Sequence, residues 1–176
     1  MNLSFLACFM GMLSFWDMFS IQTAMFEVQN AKPCASAEAR QFDFWLGEWE
    51  VTAKGKIAGQ SKISLIAGGC ALLEEYDTDR GYSGKSLNFY KADLGKWQQV
   101  WVGSDGGVLT LLGEYQDGKM ILTGESQSAG KKILDRITWH NNADHTVRQV
   151  WDRSTDEGKT WSNLFDGLYT KKEVRR

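Results

Sequence analysis

The sequence predicts an all-β protein, an antiparallel up-and-down β-barrel of about ten strands. Three observations lead there. From Val51 onward, short alternating segments are separated by glycine, asparagine and aspartate, about one strand per 8–12 residues. Eighteen glycines, eight tryptophans and one proline, Pro33, suit many tight turns between aromatic strands. No helical period of useful length follows residue 45. This pattern excludes a parallel α/β fold and leaves a sandwich or a meander barrel. About ten hairpin-linked strands favour the barrel, because closure removes exposed strand edges.

A chain of 176 residues holds one ordinary domain, and no linker divides it. Hydrophobic residues at 43% and charged residues at 24% exclude a disordered or collagen-like chain. Twenty basic against 22 acidic side chains give a net charge of −2, so no basic field marks nucleic acid as a partner.

Residues 1–38 read as a signal or leader segment, 39–170 as the barrel, and 171–176 as a charged tail. The apolar run 3–16 has the length of a secretory core, and Ala35-Ser36-Ala37 and Ala37-Glu38-Ala39 have the small-x-small form of a cleavage site. Met1-Asn2 brings no basic side chain, and those small residues lie far downstream. Asp17 interrupts the run and argues against a stable membrane span. Translation from Met18 or Met25 is the third reading of this segment. Export to the periplasm or the exterior is the expectation. In an exported chain, Cys34 and Cys70 form an even pair and suggest one disulfide; two small buried side chains are the alternative.

The expected strands are 49–55, 60–67, 70–77, 84–91, 96–102, 107–115, 118–125, 132–139, 146–152 and 160–169. Turn signals such as Gly68-Gly69, Asp105-Gly106-Gly107, Asp117-Gly118 and Asn141-Asn142-Ala143-Asp144 separate them. The stretch Ser154-Thr155-Asp156-Glu157-Gly158-Lys159-Thr160-Trp161 fits the Asp-box pattern. A single copy is a hairpin device: the aspartate bonds turn amides, glycine supplies positive φ, and the tryptophan packs over the turn.

Alternation sorts the side chains onto two faces. One set holds Ser86, Asn88 and Tyr90, then Trp97, Gln99 and Trp101, then Arg136 and Thr138, then Gln149 and Trp151. The other holds Leu87, Phe89, Val100, Val102, Ile137 and Val150. Aromatics mixed with amides and an arginine are what a lumen holding a partly polar small molecule needs. The first set, with Tyr76, is therefore the expected ligand-binding face. A filled barrel without a ligand remains the competing reading.

The stretch Gln41-Phe42-Asp43-Phe44-Trp45-Leu46-Gly47-Glu48-Trp49-Glu50-Val51 resembles the opening of an uncharacterised bacterial family of lipocalin-like barrels, whose members often carry leader peptides. The resemblance continues through Gly69-Cys70, Glu74-Glu75-Tyr76, Gly81-Tyr82-x-Gly84-x-Ser86-x-Asn88-x-Tyr90 and Trp97-x-Gln99-x-Trp101-Val102. It ends with Arg136-x-Thr138-Trp139, Val147-Arg148-Gln149 and Phe165-Asp166-Gly167-x-Tyr169. It implies a calycin-type barrel and carries no catalytic residues with it. Gly47-x-Trp49 is similar to the first-strand Gly-x-Trp of lipocalins, fatty-acid-binding proteins and nitrobindins. There the indole closes one barrel end beneath a late-strand arginine. Arg148 is the first expected partner for Trp49 and Arg136 the second, with Phe42, Phe44 and Trp45 forming a short helical plug ahead.

Nitrobindin-like barrels bind haem through histidine, but His140 and His145 flank a turn and are expected at an exposed hairpin tip, away from any closed apolar pocket. Their spacing suits a zinc finger, yet no Cys-x-x-Cys pair accompanies them. No metal and no cofactor is expected. A Ser-His-acid triad fails because no Gly-x-Ser-x-Gly elbow exists. Asp43 and Asp166 read as helix-cap and turn acids. Glu74, on the Ser86 face, is expected beside Arg136, either as a structural ion pair or as a general base. The expected function is binding of a small lipophilic molecule carrying a carboxylate or carbonyl. The alternative is an isomerase- or cyclase-type enzyme in the same lumen, using Glu74 or a Tyr90/Arg136 pair, and a ligand-free structural module is the third reading.

Overall fold

A computed structural model describes residues 33–128 and 130–172 of the chain. The leader reading falls almost wholly on residues 1–32 and the tail reading on 173–176, both outside the described residues. The described chain opens with two single turns of 3-10 helix, Glu38–Arg40 and Asp43–Trp45. Ten strands follow: β1 Gly47–Ala53, β2 Lys56–Ile66, β3 Ala71–Asp77, β4 Ser83–Lys91, β5 Lys96–Gly103, β6 Val108–Gln116, β7 Lys119–Ser128, β8 Lys131–Asn141, β9 Val147–Ser154 and β10 Ser162–Lys171. Each strand pairs antiparallel with its sequence neighbours, and β10 returns to pair with β1. The sheet is a closed barrel, so every strand has two partners and no backbone edge is left open. All ten strands lie where the alternation places them, with ends shifted by up to a few residues.

Closure is made by β1. Its residues Trp49–Ala53 pair with Gly167–Lys171 of β10, while Gly47–Ala53 pair with Lys56–Ile63 of β2. Gly47 turns the chain from plug into strand at φ +134°, a conformation that L side chains rarely adopt. Two residues on, the Trp49 side chain is fully buried and its indole N–H donates to the Trp45 carbonyl at 2.9 Å. The plug rings pack as a cluster: Phe42 stacks on Trp45 at 5.0 Å and meets Trp97 and Trp139 edge-on at 5.6 and 5.2 Å. The Trp97 indole donates to the Glu38 carbonyl at 3.1 Å, tying the first helical turn to β5.

The cation expected over Trp49 is neither arginine. Lys171 Nζ lies 5.3 Å from the indole centroid. Arg148 stands on the outer wall, where its guanidinium grips Asp166 at 2.7 and 2.6 Å. Val147 is the inward residue there, and period two sends Arg148 outward. Asp166 is thus a strand residue in an ion pair, not a turn acid. Asp43 caps no helix: its carboxylate faces Arg40 at 3.6 Å, and the helix-capping position, Phe42, makes no side-chain cap.

Cys34 and Cys70 form a disulfide with a Cα–Cα distance of 5.0 Å. It pins the segment ahead of the plug to the start of β3, and Arg40 adds a hydrogen bond to the Gly69 carbonyl. The single Asp-box is a hairpin device. Ser154 Oγ and Asp156 hold the turn amides of Gly158 and Thr160 at 2.8 and 2.9 Å. Glu157 and Gly158 take positive φ, and the Trp161 indole donates back to the Gly158 carbonyl. Hydrogen bonds from the Thr160 hydroxyl, the Thr160 amide and the Ser154 hydroxyl hold the Asp156 carboxyl down at about 2.

Two outcomes are expected. Trp49→Ala should cost about 3–5 kcal/mol in chemical denaturation, the usual loss for a fully buried large aromatic; an unchanged midpoint would end the barrel-closing role. Breaking the bridge with Cys34→Ser and Cys70→Ser should cost about 4 kcal/mol by loop-closure entropy over the 36-residue separation. Two free thiols in the intact mass of the oxidised protein would contradict the bridge itself.

Candidate functional site

The barrel interior has two halves. Toward the plug, Phe42, Trp45, Trp97, Met120, Trp139 and Tyr169 join one buried cluster. Toward the opposite end, where the β3–β4, β5–β6 and β9–β10 hairpins gather, a cavity of about 300 Å³ opens. Its walls are mostly apolar: Tyr76, Tyr82, Trp101, Leu109, Ile137, Trp151, Leu164, Phe165 and Tyr169. Glu74, Gln99 and Gln149 supply polar atoms to its lining, and Thr78 sits beside Tyr82 in the β3–β4 connection.

Register explains the aromatic wall. Tyr76 pairs with Gly84, which pairs in turn with Gly103. The Trp101 indole lies across Gly84 so closely that a Cβ there would collide with the ring. The glycine thus makes room for the indole, which rests 6.3 Å from the Tyr76 ring. Tyr76 donates to the Ala58 carbonyl at 3.2 Å, at the place where β2 bulges against β1.

The polar groups form a connected network. Glu74 pairs with Ser86 across β3 and β4 and is only 3% exposed. Ser86 Oγ donates to Glu74 Oε2 at 2.8 Å, and Ser61 Oγ donates to Oε1 at 3.4 Å. Ser86 Oγ also accepts from Asn88 Nδ2 at 2.8 Å and from Gln99 Nε2 at 3.2 Å. Burial drives the Glu74 carboxyl up to about 7, although both hydroxyls pull the other way. Across the lumen, the Tyr169 hydroxyl donates to Gln149 Oε1. Burial, reinforced by the Glu74 charge, raises the phenols of Tyr169 and Tyr76.

Several expected site residues lie elsewhere. Arg136 and Thr138 point away from the lumen, because Ile133, Asp135, Ile137 and Trp139 are the buried residues of β8. Arg136 instead bonds Asp152 at 3.2 Å and lies 4.2 Å over the Trp161 ring on the outside. Ile137, assigned to the outer set, lines the cavity. No Glu74–Arg136 pair forms, and the Tyr90/Arg136 pair fails too: Tyr90 packs on Trp97 in the plug half at 6.0 Å. Asn88 and Trp97 are inward but deep, below the cavity. Tyr76, Gln99, Trp101, Gln149 and Trp151 line it, and Ser86 holds its carboxylate.

Sequence reasoning missed Ser61, Leu109, Phe165 and Tyr169. It also missed an ion pair inside the wall, where Arg153 grips the buried Asp135 at 2.9 Å and Trp151 donates to the same carboxylate at 2.6 Å. The signal was an acid and an arginine on adjacent hairpin strands, readable only once the register is known. His145 sits in the β8–β9 turn. His140 is the penultimate residue of β8 rather than part of the tip, half-buried on the outer wall, where burial and the nearby Lys119 and Arg148 lower its pKa. Neither histidine lines the cavity.

Among the described residues no cluster of His, Cys, Asp and Glu suits a metal ion, and no helix is long and apolar enough to cross a membrane. No family model matches the chain, and no curated protein matches it.

Glu74 links stability to pH. A carboxyl that holds its proton more tightly folded than unfolded stabilises the fold at low pH. That contribution fades as the pH climbs from the usual 4.5 toward about 7. Glu74→Gln, neutral throughout, should therefore gain on the native protein across that window, measured by denaturation at about pH 4 and about pH 8. An identical difference at both pH values would show that Glu74 does not titrate in that window.

Proposed function

We propose that this barrel binds a small, largely apolar molecule in its open half. The observation that carries the reading is the roughly 300 Å³ cavity with aromatic walls and a few fixed polar groups, the usual make-up of a small-molecule site. A filled, ligand-free barrel would have packed that half as tightly as the plug half. The proposal places the chain with lipocalin-like carriers, in keeping with the Phe42-Asp43-Phe44-Trp45-x-Gly47-x-Trp49 resemblance and the closed ten-strand barrel. Export is part of the same reading, and the Cys34–Cys70 bridge supports it, since such bonds persist in oxidising compartments.

The displacement of Arg136 alters the expected ligand. A lumenal guanidinium would have favoured a carboxylate; an anion entering this cavity meets Glu74 instead. A proton-transfer enzyme needs a base facing its substrate, and Glu74 is the acid lining the cavity that meets that requirement.

Titration with the neutral probe N-phenylnaphthylamine tests the reading. Its fluorescence should rise on binding and tryptophan emission should be quenched. Leu109→Trp, which fills the cavity, should weaken binding about tenfold or more, a change of about 1.4 kcal/mol. Arg136→Ala, on the outer wall, should leave binding unchanged. A native protein that neither enhances the probe nor loses emission would sink the proposal.

A further inference from the structure

The geometry points to a ligand with a positively charged head, an alkylammonium or similar amphiphile, whose cation sits at Glu74 with its apolar body among the aromatic walls. The inference rests on the lumenal binding reading and specifies its ligand class.

The first support is the direction of the hydrogen bonds around Glu74. Ser86 Oγ accepts N–H groups from both Asn88 and Gln99, so its own proton is free to point only at Glu74 Oε2. Ser61 donates to the other oxygen. The shell is therefore wired to serve an acceptor, the carboxylate form. Such a shell does not neutralise the charge. Buried carboxylates are ordinarily matched by a cation, and among the described residues no Lys, Arg or His forms an ion pair with Glu74. Arg153, the arginine of the inner wall, is already held by Asp135. An uncompensated carboxylate that lines an open cavity leaves the cation to be supplied from outside.

The walls are the second support. Tyr76, Trp101, Phe165 and Tyr169 line the same space, and electron-rich ring faces attract ammonium groups while shielding them from water; the Trp151 ring, also in the lining, already faces Arg153 at 5.3 Å. Each also packs against hydrocarbon, so one lining serves both ends of an amphiphile. An anionic head gains nothing from such rings and is repelled by Glu74.

The pH response follows from the groups that face Glu74. Its strand neighbours β2 and β4 present the hydroxyls of Ser61 and Ser86, its own strand presents Tyr76, and β10 presents Tyr169. Both phenols are raised and stay protonated through the neutral range. The Asp135–Arg153 pair is internally balanced. Among these facing groups, Glu74 is thus the one whose charge changes as the solution passes through neutrality, while an alkylammonium keeps its charge. Affinity for the amine should rise with pH, by at most about tenfold per unit below the Glu74 midpoint, and then level off.

Calorimetric titration with octylamine, octanol and octanoate holds the apolar body constant and varies the head. In the native protein at about pH 8, octylamine should bind at least about tenfold more tightly than octanol, and octanoate should be weakest. Glu74→Gln should erase the amine's advantage over octanol and strengthen octanoate relative to both. Should that variant fold poorly, the pH series on the native protein tests the same charge dependence. Octanol matching octylamine, an amine preference that survives Glu74→Gln, or amine affinity flat with pH would each overturn the inference. If N-phenylnaphthylamine binds while the amine shows no preference, only the charged head is refuted. If neither the probe nor any octyl compound binds, lumenal binding itself falls.

Discussion

The seam between β1 and β10 is the constraint on which the rest of the molecule depends. A sheet of ten strands can hold an interior only if its first and last strands find each other, and here they are the most distant in sequence. That makes the closing contact the costliest to form in chain entropy. The seam is accordingly reinforced from the side. Gly47 delivers the chain into β1 at an angle other residues resist, Trp49 locks onto the plug through Trp45, and Tyr169 of β10 packs against both indoles at 6.1 and 6.4 Å. One ring cluster therefore holds the plug, the first strand and the last.

Closing one end so heavily frees the other. Four tryptophans, Trp45, Trp49, Trp97 and Trp139, fill the plug half, and fully buried side chains of that size contribute several kcal/mol each. The hairpin end carries its aromatics on the walls instead, with Gly84 letting the Trp101 indole lie flat against the sheet. Stability and hollowness are thereby assigned to opposite ends of one lumen. The disulfide and the Arg40–Gly69 bond strengthen the plug end, and the cavity end bears no cross-link of that kind among the described residues.

The polar floor opposes this apolar construction. A carboxyl as buried as Glu74 is unfavourable in its charged form unless its surroundings answer it. The serines, Asn88 and Gln99 answer through hydrogen bonds alone, and the carboxyl rises to about 7. A fold optimised only for stability has little reason to keep such a group at the base of an empty space. Proton transfer and cation recognition both draw on it. The hydrogen-bond polarity toward a carboxylate and the aromatic walls accord with the cation recognition proposed above.

Much of the architecture was legible in the sequence. Alternation with regular turns located all ten strands, because a side-chain period of two is set by local backbone geometry. Gly47-x-Trp49 announced the sealed end, and Cys34 with Cys70 the bridge. The inner face of β4 and β5 was also readable, since Ser86, Asn88, Trp97 and Gln99 alternate against exposed Leu87 and Val102. In β8 the same logic failed. Ile133, Ile137 and Trp139 mark the inner phase and Asp135 breaks their series, while Arg136 and Thr138 were assigned inward as the polar part of a ligand-binding face; a slip of one residue exchanges every inside for outside. Tertiary structure decided the phase by bringing Arg153 against Asp135, which makes an inward acid tolerable and sends Arg136 out to Asp152 and Trp161. Local periodicity thus determined the strands and their turns, while the charge at the heart of the lumen was settled by which partners the closed barrel supplied.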